Sequence, residues 1–137
     1  MLRARFRNIV LFVFSKYLIF AIILATLDNR FKSLVADVSY TTEDWIAGTF
    51  HYFMYVLIVT TLFVVIFSGP YWLVFQIKNK ILFPVAALLV LGSDAWCYVW
   101  LNATGNWRYG VIHFSVGVLV MLLFFFKPIR QKVLFHT

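Results

Sequence analysis

Four stretches of this 137-residue chain are long and apolar enough to cross a lipid bilayer. They cover residues 8–27, 47–68, 81–101 and 110–126. Each is close to the roughly 20 residues that span a hydrocarbon core of about 30 Å as a helix. The pattern predicts an all-α integral membrane protein with four transmembrane helices in an up-down bundle.

The composition agrees with a membrane protein. Hydrophobic residues make up 64% of the chain and charged residues 12%, and the mean hydropathy is +0.91. A soluble domain of this length could not bury so much apolar surface. The first apolar run is also too long for a cleaved signal peptide, and more membrane-type sequence follows it. We therefore expect residues 1–137 to form a single transmembrane domain.

The distribution of charge predicts the orientation. The side that carries both termini would hold eight basic residues and no acid: Arg3, Arg5, Arg7, Lys78, Lys80, Lys127, Arg130 and Lys132. The opposite side would hold three basic residues and four acids: Arg30, Lys32, Arg108, Asp28, Asp37, Glu43 and Asp44. Basic residues in short loops stay cytoplasmic during insertion, so both termini should be inside, in a membrane that we take to be a bacterial plasma membrane. Anionic lipid headgroups, rather than nucleic acid, then account for the net charge of +7.

The first outer loop contains a second periodic pattern. Phe31, Leu34, Val35 and Val38 are spaced i, i+3, i+4 and i+7, which places four apolar side chains on one face of a helix. The spacing predicts a short amphipathic helix that lies along the outer membrane surface.

Local signals predict where the spans begin and end. Residues 41–44 (Thr-Thr-Glu-Asp) are typical of a helix start. The second span should end at Ser68-Gly69-Pro70 and the fourth at Lys127-Pro128. Aromatic rings are expected at the two membrane interfaces: Trp45, Tyr71, Trp72, Trp96, Tyr98 and Trp100.

Lys16 lies inside the first span, about 12 Å from its cytoplasmic edge. Its side chain tilts toward the helix N-terminus, so the ammonium is expected to reach the inner surface along its own stem. A contact with another helix or a partner is the alternative. Lipid or partner contacts at the inner face are thus predicted for six basic residues: Lys16, Lys78, Lys80, Lys127, Arg130 and Lys132.

Asp94 is the only acid inside a predicted span. It lies about 20 Å from the inner edge of the third span and costs at least a few kcal/mol there unless protonated, paired or hydrated. Gly92 and Ser93 precede it and should let a neighbouring helix approach closely. Three roles remain open: a hydrogen bond that fixes helix packing, a proton or ion site, or a ligand or partner contact.

His51 and His113 lie at a depth similar to that of Asp94, one turn below the outer interface. Asp94, His51, His113 and Arg108 form the candidate intramembrane polar site. An Asp–His pair in it could bind and release protons. A second interpretation makes the two histidines axial ligands of a b-type haem. Gly48, Gly110 and Gly117 would then provide space for the macrocycle. Apart from this haem alternative, no cofactor is expected.

No catalytic motif is recognisable in the sequence. Cys97 is the single cysteine, so neither a disulfide nor a thiolate metal site is expected within one chain. The first functional hypothesis is a non-enzymatic subunit or accessory factor of a larger membrane assembly, bound to other subunits or to itself. The alternatives are an oligomeric transporter or channel component that uses Asp94 and histidine, and a haem-binding redox subunit.

Overall fold

The computed structural model describes residues 5–102 and 105–134, except the side chains of residues 102, 128 and 131–134. Its elements are α1 (Phe6–Thr26), a π-helical segment (Lys32–Ala36), α2 (Thr42–Gln76), α3 (Leu82–Asn102) and α4 (Trp107–Leu134). The described residues contain no strand. Four helices are long and apolar enough to cross a membrane, which is consistent with the predicted helical membrane bundle.

The four helices form a ring in chain order. α1 packs on α2 and α4, and α3 packs on the same two helices, so α1 and α3 face each other across a diagonal. The end of the bundle that holds the start of α1 and the α2–α3 connection carries exposed Arg5, Arg7, Lys78 and Lys80. We call it the basic end, and the opposite end, with the α1–α2 connection, the loop end.

The buried face of α1 follows a regular spacing. Its members lie three or four residues apart, as one stripe of an α-helix requires, and all face the bundle centre: Ile9, Phe12, Val13, Lys16, Tyr17, Phe20 and Leu24. Because the other faces of α1 are also apolar and face lipid, hydropathy alone does not distinguish this stripe.

Close helix approach depends on glycines of α4. A Cβ atom at Gly117 would lie 2.7 Å from Leu91 Cδ2 and 3.3 Å from Lys16 Cδ, and one at Gly110 would lie 2.7 Å from Val99 Cγ2. No atom lies within 4 Å of the corresponding position at Gly92. The expectation that Gly92 admits a neighbouring helix is therefore wrong, because this glycine faces away from the packed interfaces.

The predicted start of the second helix is confirmed. Thr41 Oγ1 accepts a hydrogen bond from the Asp44 backbone N–H at 3.1 Å, and Asp44 Oδ2 accepts one from the Thr41 N–H at 3.1 Å. This reciprocal pair is a capping box, which satisfies two donors that would otherwise lack partners at the helix terminus.

The predicted end of the second helix is wrong, because α2 continues through Ser68-Gly69-Pro70 to Gln76. A proline removes one backbone hydrogen bond, but an open chain in lipid would leave several backbone groups unsatisfied. Continuing the helix through Pro70 therefore costs less free energy than opening the chain within the membrane. It turns Tyr71, which had been predicted to lie at the interface, into the core, while Trp72 stays partly exposed and packs on Phe6.

The predicted end of the fourth span at Lys127-Pro128 agrees with the candidate span, which covers Trp107–Lys127. Helical backbone continues beyond it to Leu134, after a kink at Phe125, whose backbone is non-helical. Of the predicted outer aromatic residues of α3, Trp96 and Trp100 are exposed but Tyr98 is buried. Tyr98 lies on the core face of α3, four residues after Asp94.

The outer loop is helical only in part. Residues 32–36 form a π-helical turn, in which Val35 is buried while Leu34 and Val38 are exposed. Phe31 packs instead on the rings of Trp45 and Tyr52. A π turn closes i→i+5 hydrogen bonds, so residues at the α-helical spacing no longer share one face. Its location at the membrane surface stays a prediction.

Gly117, which packs closely on other helices, and Gly92, which has open space beside it, allow a matched test of helix packing. Gly117→Ala should destabilise the protein, because overpacking a core typically costs about 1–3 kcal/mol. Gly92→Ala should leave the stability unchanged or raise it, because alanine favours the helix by up to about 1 kcal/mol. Thermal unfolding of both variants in detergent measures the difference, and equal melting temperatures would contradict the packing described here.

Candidate intramembrane site

Lys16 and Asp94 form an ion pair at the centre of the bundle, with both side chains 0% exposed. Lys16 lies ten residues after the start of α1 and Asp94 twelve residues after the start of α3, or about 15 and 18 Å along helices of similar length. Because α1 and α3 face each other across the diagonal, the pair joins two helices that are not neighbours in the ring.

Two tyrosines complete the hydrogen bonding of this pair. The Tyr17 hydroxyl donates to Asp94 Oδ1, and the Tyr71 hydroxyl donates to Asp94 Oδ2 at 2.9 Å. Lys16 Nζ also donates to the Tyr71 oxygen at 3.3 Å and lies 4.8 Å from the ring centroid of Tyr17. Both carboxylate oxygens are thus hydrogen-bonded, and the network connects α1, α2 and α3. We call these four residues the core network.

The position of Lys16 differs from the prediction that its ammonium reaches the inner surface. Lys16 belongs to the buried stripe of α1, and its stem lies against Gly117 of α4. Its contact is with another helix, because Lys16 lies on the face of α1 that packs into the bundle. Pairing with Asp94 offsets a desolvation cost that each charge alone would carry in the membrane.

One sequence signal could have identified this pair. Within the four predicted spans, Lys16 and Asp94 are the only residues among Asp, Glu, Lys and Arg. They have opposite signs, and each needs a partner. Tyr17 and Tyr71 gave no such signal, because tyrosines are common in this chain and their helix faces could not be assigned.

His113 is buried beside the core network. Its ring lies 4.9 Å from that of Tyr17, 4.8 Å from that of Phe20 and 5.2 Å from that of Tyr98, on which it stacks. Neither ring nitrogen has a hydrogen-bond partner among the described residues. His113 therefore contacts the ring of Tyr17, whereas Asp94 accepts a hydrogen bond from the Tyr17 hydroxyl. His113 and Asp94 are not bonded to each other directly.

The other two residues of the predicted site lie elsewhere. His51 is exposed on α2, and its Nδ1–H donates to the carbonyl of Ala47 in the same helix at 2.8 Å. The Arg108 side chain is 70% exposed at the loop end, with Nη1 3.7 Å from Asp28 Oδ1. Neither residue joins the core network.

The residues around the histidines do not fit a haem. The three glycines that were expected to make space face other side chains: Gly48 faces Val35, Gly110 faces Val99 and Gly117 faces Leu91. His113 is enclosed and His51 is exposed, so the two rings do not line a common cavity. No step proposed below involves a haem.

A cleft opens from the loop end toward the core network, with a volume of about 50 Å³. Its walls are aliphatic and aromatic, and its polar lining consists of Arg30, Thr60 and four tyrosines, Tyr17, Tyr52, Tyr55 and Tyr98. None of the described residues that line it is acidic. Tyr17 lines the cleft and its hydroxyl donates to Asp94, so this residue lies between the cleft and the ion pair.

Aromatic rings close the other side of the core network. Phe125 packs on Phe12 with ring centroids 5.6 Å apart and on Phe75 at 4.3 Å, and Phe12 also packs on Tyr71 at 5.2 Å. We call Phe12, Phe75 and Phe125 the aromatic layer. Access to the ion pair is therefore asymmetric, with a cleft toward the loop end and packed rings toward the basic end.

Arg30 lies in a small polar cluster at the mouth of the cleft. Its guanidinium lies 4.6 Å from the ring centroid of Tyr109, whose hydroxyl donates to Asp28 Oδ2 at 2.5 Å. Partial burial alone would lower the pKa of Arg30, but Tyr98, Tyr109 and Asp28 together raise it above its usual value. Asp28 faces both Arg30 and Arg108, so this cluster has a net positive charge.

The basic residues predicted at the inner face lie at the basic end where the structure describes them. Lys78 and Lys80 are exposed in the α2–α3 connection, and Lys127 and Arg130 are exposed on α4. The side chains of Arg3 and Lys132 lie outside the described residues. Lipid contact of the apolar helices follows from a membrane location, whereas headgroup binding at this end stays a prediction.

No group of three or more His, Cys, Asp and Glu side chains that could hold a metal ion occurs among the residues described. Cys97 is a free, partly buried thiol. Comparison with protein-family models, with curated proteins and with solved structures finds no match to this chain.

Removing one member of the ion pair should destabilise the protein strongly. Asp94→Leu or Lys16→Met leaves one buried charge unpaired, and such changes cost about 3–5 kcal/mol in protein interiors. The double variant Lys16→Met/Asp94→Leu should cost less than the sum of the single changes, because no buried charge remains. Unfolding of the four proteins in detergent gives the coupling free energy, and a coupling near zero would contradict the pair.

Proposed function

We propose that the protein is a small membrane transport component that binds and releases protons at the Lys16–Asp94 pair. The observation that carries this proposal is the contact of Tyr17 with both the cleft and Asp94. Ionisable residues in the interior of a membrane protein commonly mark an ion or proton pathway, because their burial is costly.

The core network offers a defined proton step. The Tyr17 hydroxyl gives its proton to Asp94 Oδ1 and takes a proton from hydronium in the cleft, so that Asp94 becomes neutral and Tyr17 is unchanged. The cleft is roomy enough for this, since a water molecule needs about 10–15 Å³ of such volume. The loop end is then the side of proton entry.

Release toward the basic end requires the aromatic layer to separate. Two helix irregularities lie beside this layer: Pro70 in α2, next to Tyr71, and the non-helical Phe125 in α4. Helices bend at such positions because a backbone hydrogen bond is missing or displaced. An oligomer, predicted from sequence for a transporter of this size, stays a prediction.

Proton flux in liposomes tests the proposal. The purified protein is reconstituted, a potassium gradient with valinomycin sets the membrane potential, and an enclosed pH dye reports proton entry. We expect flux in the wild type, loss of flux to the level of empty liposomes in Asp94→Asn, and reduced flux in Tyr17→Phe, which keeps the ion pair but lacks the relaying hydroxyl.

Asp37→Asn is the matched control, since it makes the same chemical change at an exposed loop residue and should conduct as the wild type does. Size-exclusion chromatography of each variant separates lost function from lost folding. A folded wild type without flux above the leak, or a Tyr17→Phe variant with unchanged flux, would overturn the proposal.

A second candidate function is that of an accessory subunit in a larger membrane assembly. The observation that favours it is the complete enclosure of the ion pair, with both Asp94 oxygens hydrogen-bonded. Such a pair suits a structural role, in which it fixes the helix arrangement that a partner recognises.

Native mass spectrometry of the protein extracted from its host membrane tests this second function. We expect stoichiometric foreign subunits if the protein is an accessory subunit. The protein alone, or with copies of itself, together with proton flux in liposomes, would favour the transport component instead.

A further inference from the structure

Protonation of Asp94 creates a charge imbalance in the core. The pair is neutral as Lys16 ammonium and Asp94 carboxylate, and neither side chain is exposed to solvent. One added proton leaves the ammonium without a counter-charge, and an isolated buried charge costs several kcal/mol. A proton is therefore taken up readily only if a negative charge enters with it.

The other groups that face Asp94 do not supply this charge. Tyr17 of α1 and Tyr71 of α2 donate hydrogen bonds to it, and His113 of α4 lies behind Tyr17. On α3 itself, Tyr98 is the nearest ionisable residue on the core face, one turn away. No second carboxylate faces the pair among the described residues.

The cleft has the chemistry of an anion site. Its one charged group is the Arg30 guanidinium, its other polar groups are hydroxyls that can donate hydrogen bonds, and no carboxylate lines it. Pores and sites selective for anions use basic side chains in this way. The cluster of Asp28, Arg30 and Arg108 at the mouth also has a net positive charge.

We propose that the cleft binds a small monovalent anion, of which chloride is the probe, and that this anion enters with the proton that neutralises Asp94. The location of the site depends on the cleft alone, whereas the coupling rests on the proposed function. The volume of about 50 Å³ has room for an inorganic anion with a few waters, since a water-sized species needs about 10–15 Å³.

Chloride binding to the purified protein is measured first, from the broadening of the ³⁵Cl NMR line during titration, with gluconate as the non-binding salt. Arg30→Gln should weaken chloride binding by about tenfold, as expected for the loss of one charged hydrogen-bond donor. Lys32→Gln is the matched control, because Lys32 is an exposed basic residue of the same connection that does not line the cleft, and it should bind as the wild type does.

Thr60→Val provides a second variant if Arg30→Gln fails to fold. Thr60 is buried in the wall of the cleft, and valine has nearly the same shape without the hydroxyl. We expect weaker chloride binding here too. Absence of saturable chloride broadening in the wild type, or equal binding by the wild type and both cleft variants, would overturn the anion site.

Coupling is measured in the liposome assay with equal potassium on both sides, so that valinomycin holds the membrane potential near zero, and with chloride or gluconate as the external anion. Chloride should increase proton entry in the wild type and in Lys32→Gln but not in Arg30→Gln. Equal proton entry in both salts would overturn the coupling and leave the proton function standing. Chloride binding without any proton flux would leave the anion site standing and overturn the proton function.

Discussion

The ion pair between Lys16 and Asp94 determines how the four helices must be arranged. Inside a membrane, apolar side chains are nearly as stable against lipid as against another helix, so hydrophobicity does little to select which faces meet. A buried charge is different, because its cost falls only when it finds its partner. Since α1 and α3 lie across the diagonal, the pair fixes the rotation of both helices at once.

The packing around the pair depends on this geometry. Gly117 lets α4 approach the stem of Lys16, and a larger side chain would compete with the lysine for the same space. Tyr71 reaches Asp94 because α2 stays helical through Pro70. The continuous helix through Pro70, the glycine contact and the hydroxyl network therefore all contribute to the surroundings of the buried lysine and aspartate.

The spans were predictable from the sequence because bilayer thickness and backbone hydrogen bonding require long apolar helices. The faces of those helices were not, since Ile9, Phe12 and Val13 in the core are no more apolar than Leu11 or Ile22 outside it. Depth along a helix does not show which way a side chain faces. For this reason Lys16 was predicted at the surface and Tyr71 and Tyr98 at the interface, although all three are buried. Asp94 was identified because its burial is costly at any rotation of its helix.

The same energetics connect the structure to the proposed chemistry. In the structure the pair is neutral, fully hydrogen-bonded and closed toward the basic end, so it describes a stable resting state. In the proposed function the proton reaches the pair by way of Tyr17, the residue that lines the cleft and donates to the carboxylate. Because the cleft is lined by a guanidinium and hydroxyls, it favours an anion over a second cation. A proton and an anion that enter together preserve the neutrality on which the bundle depends.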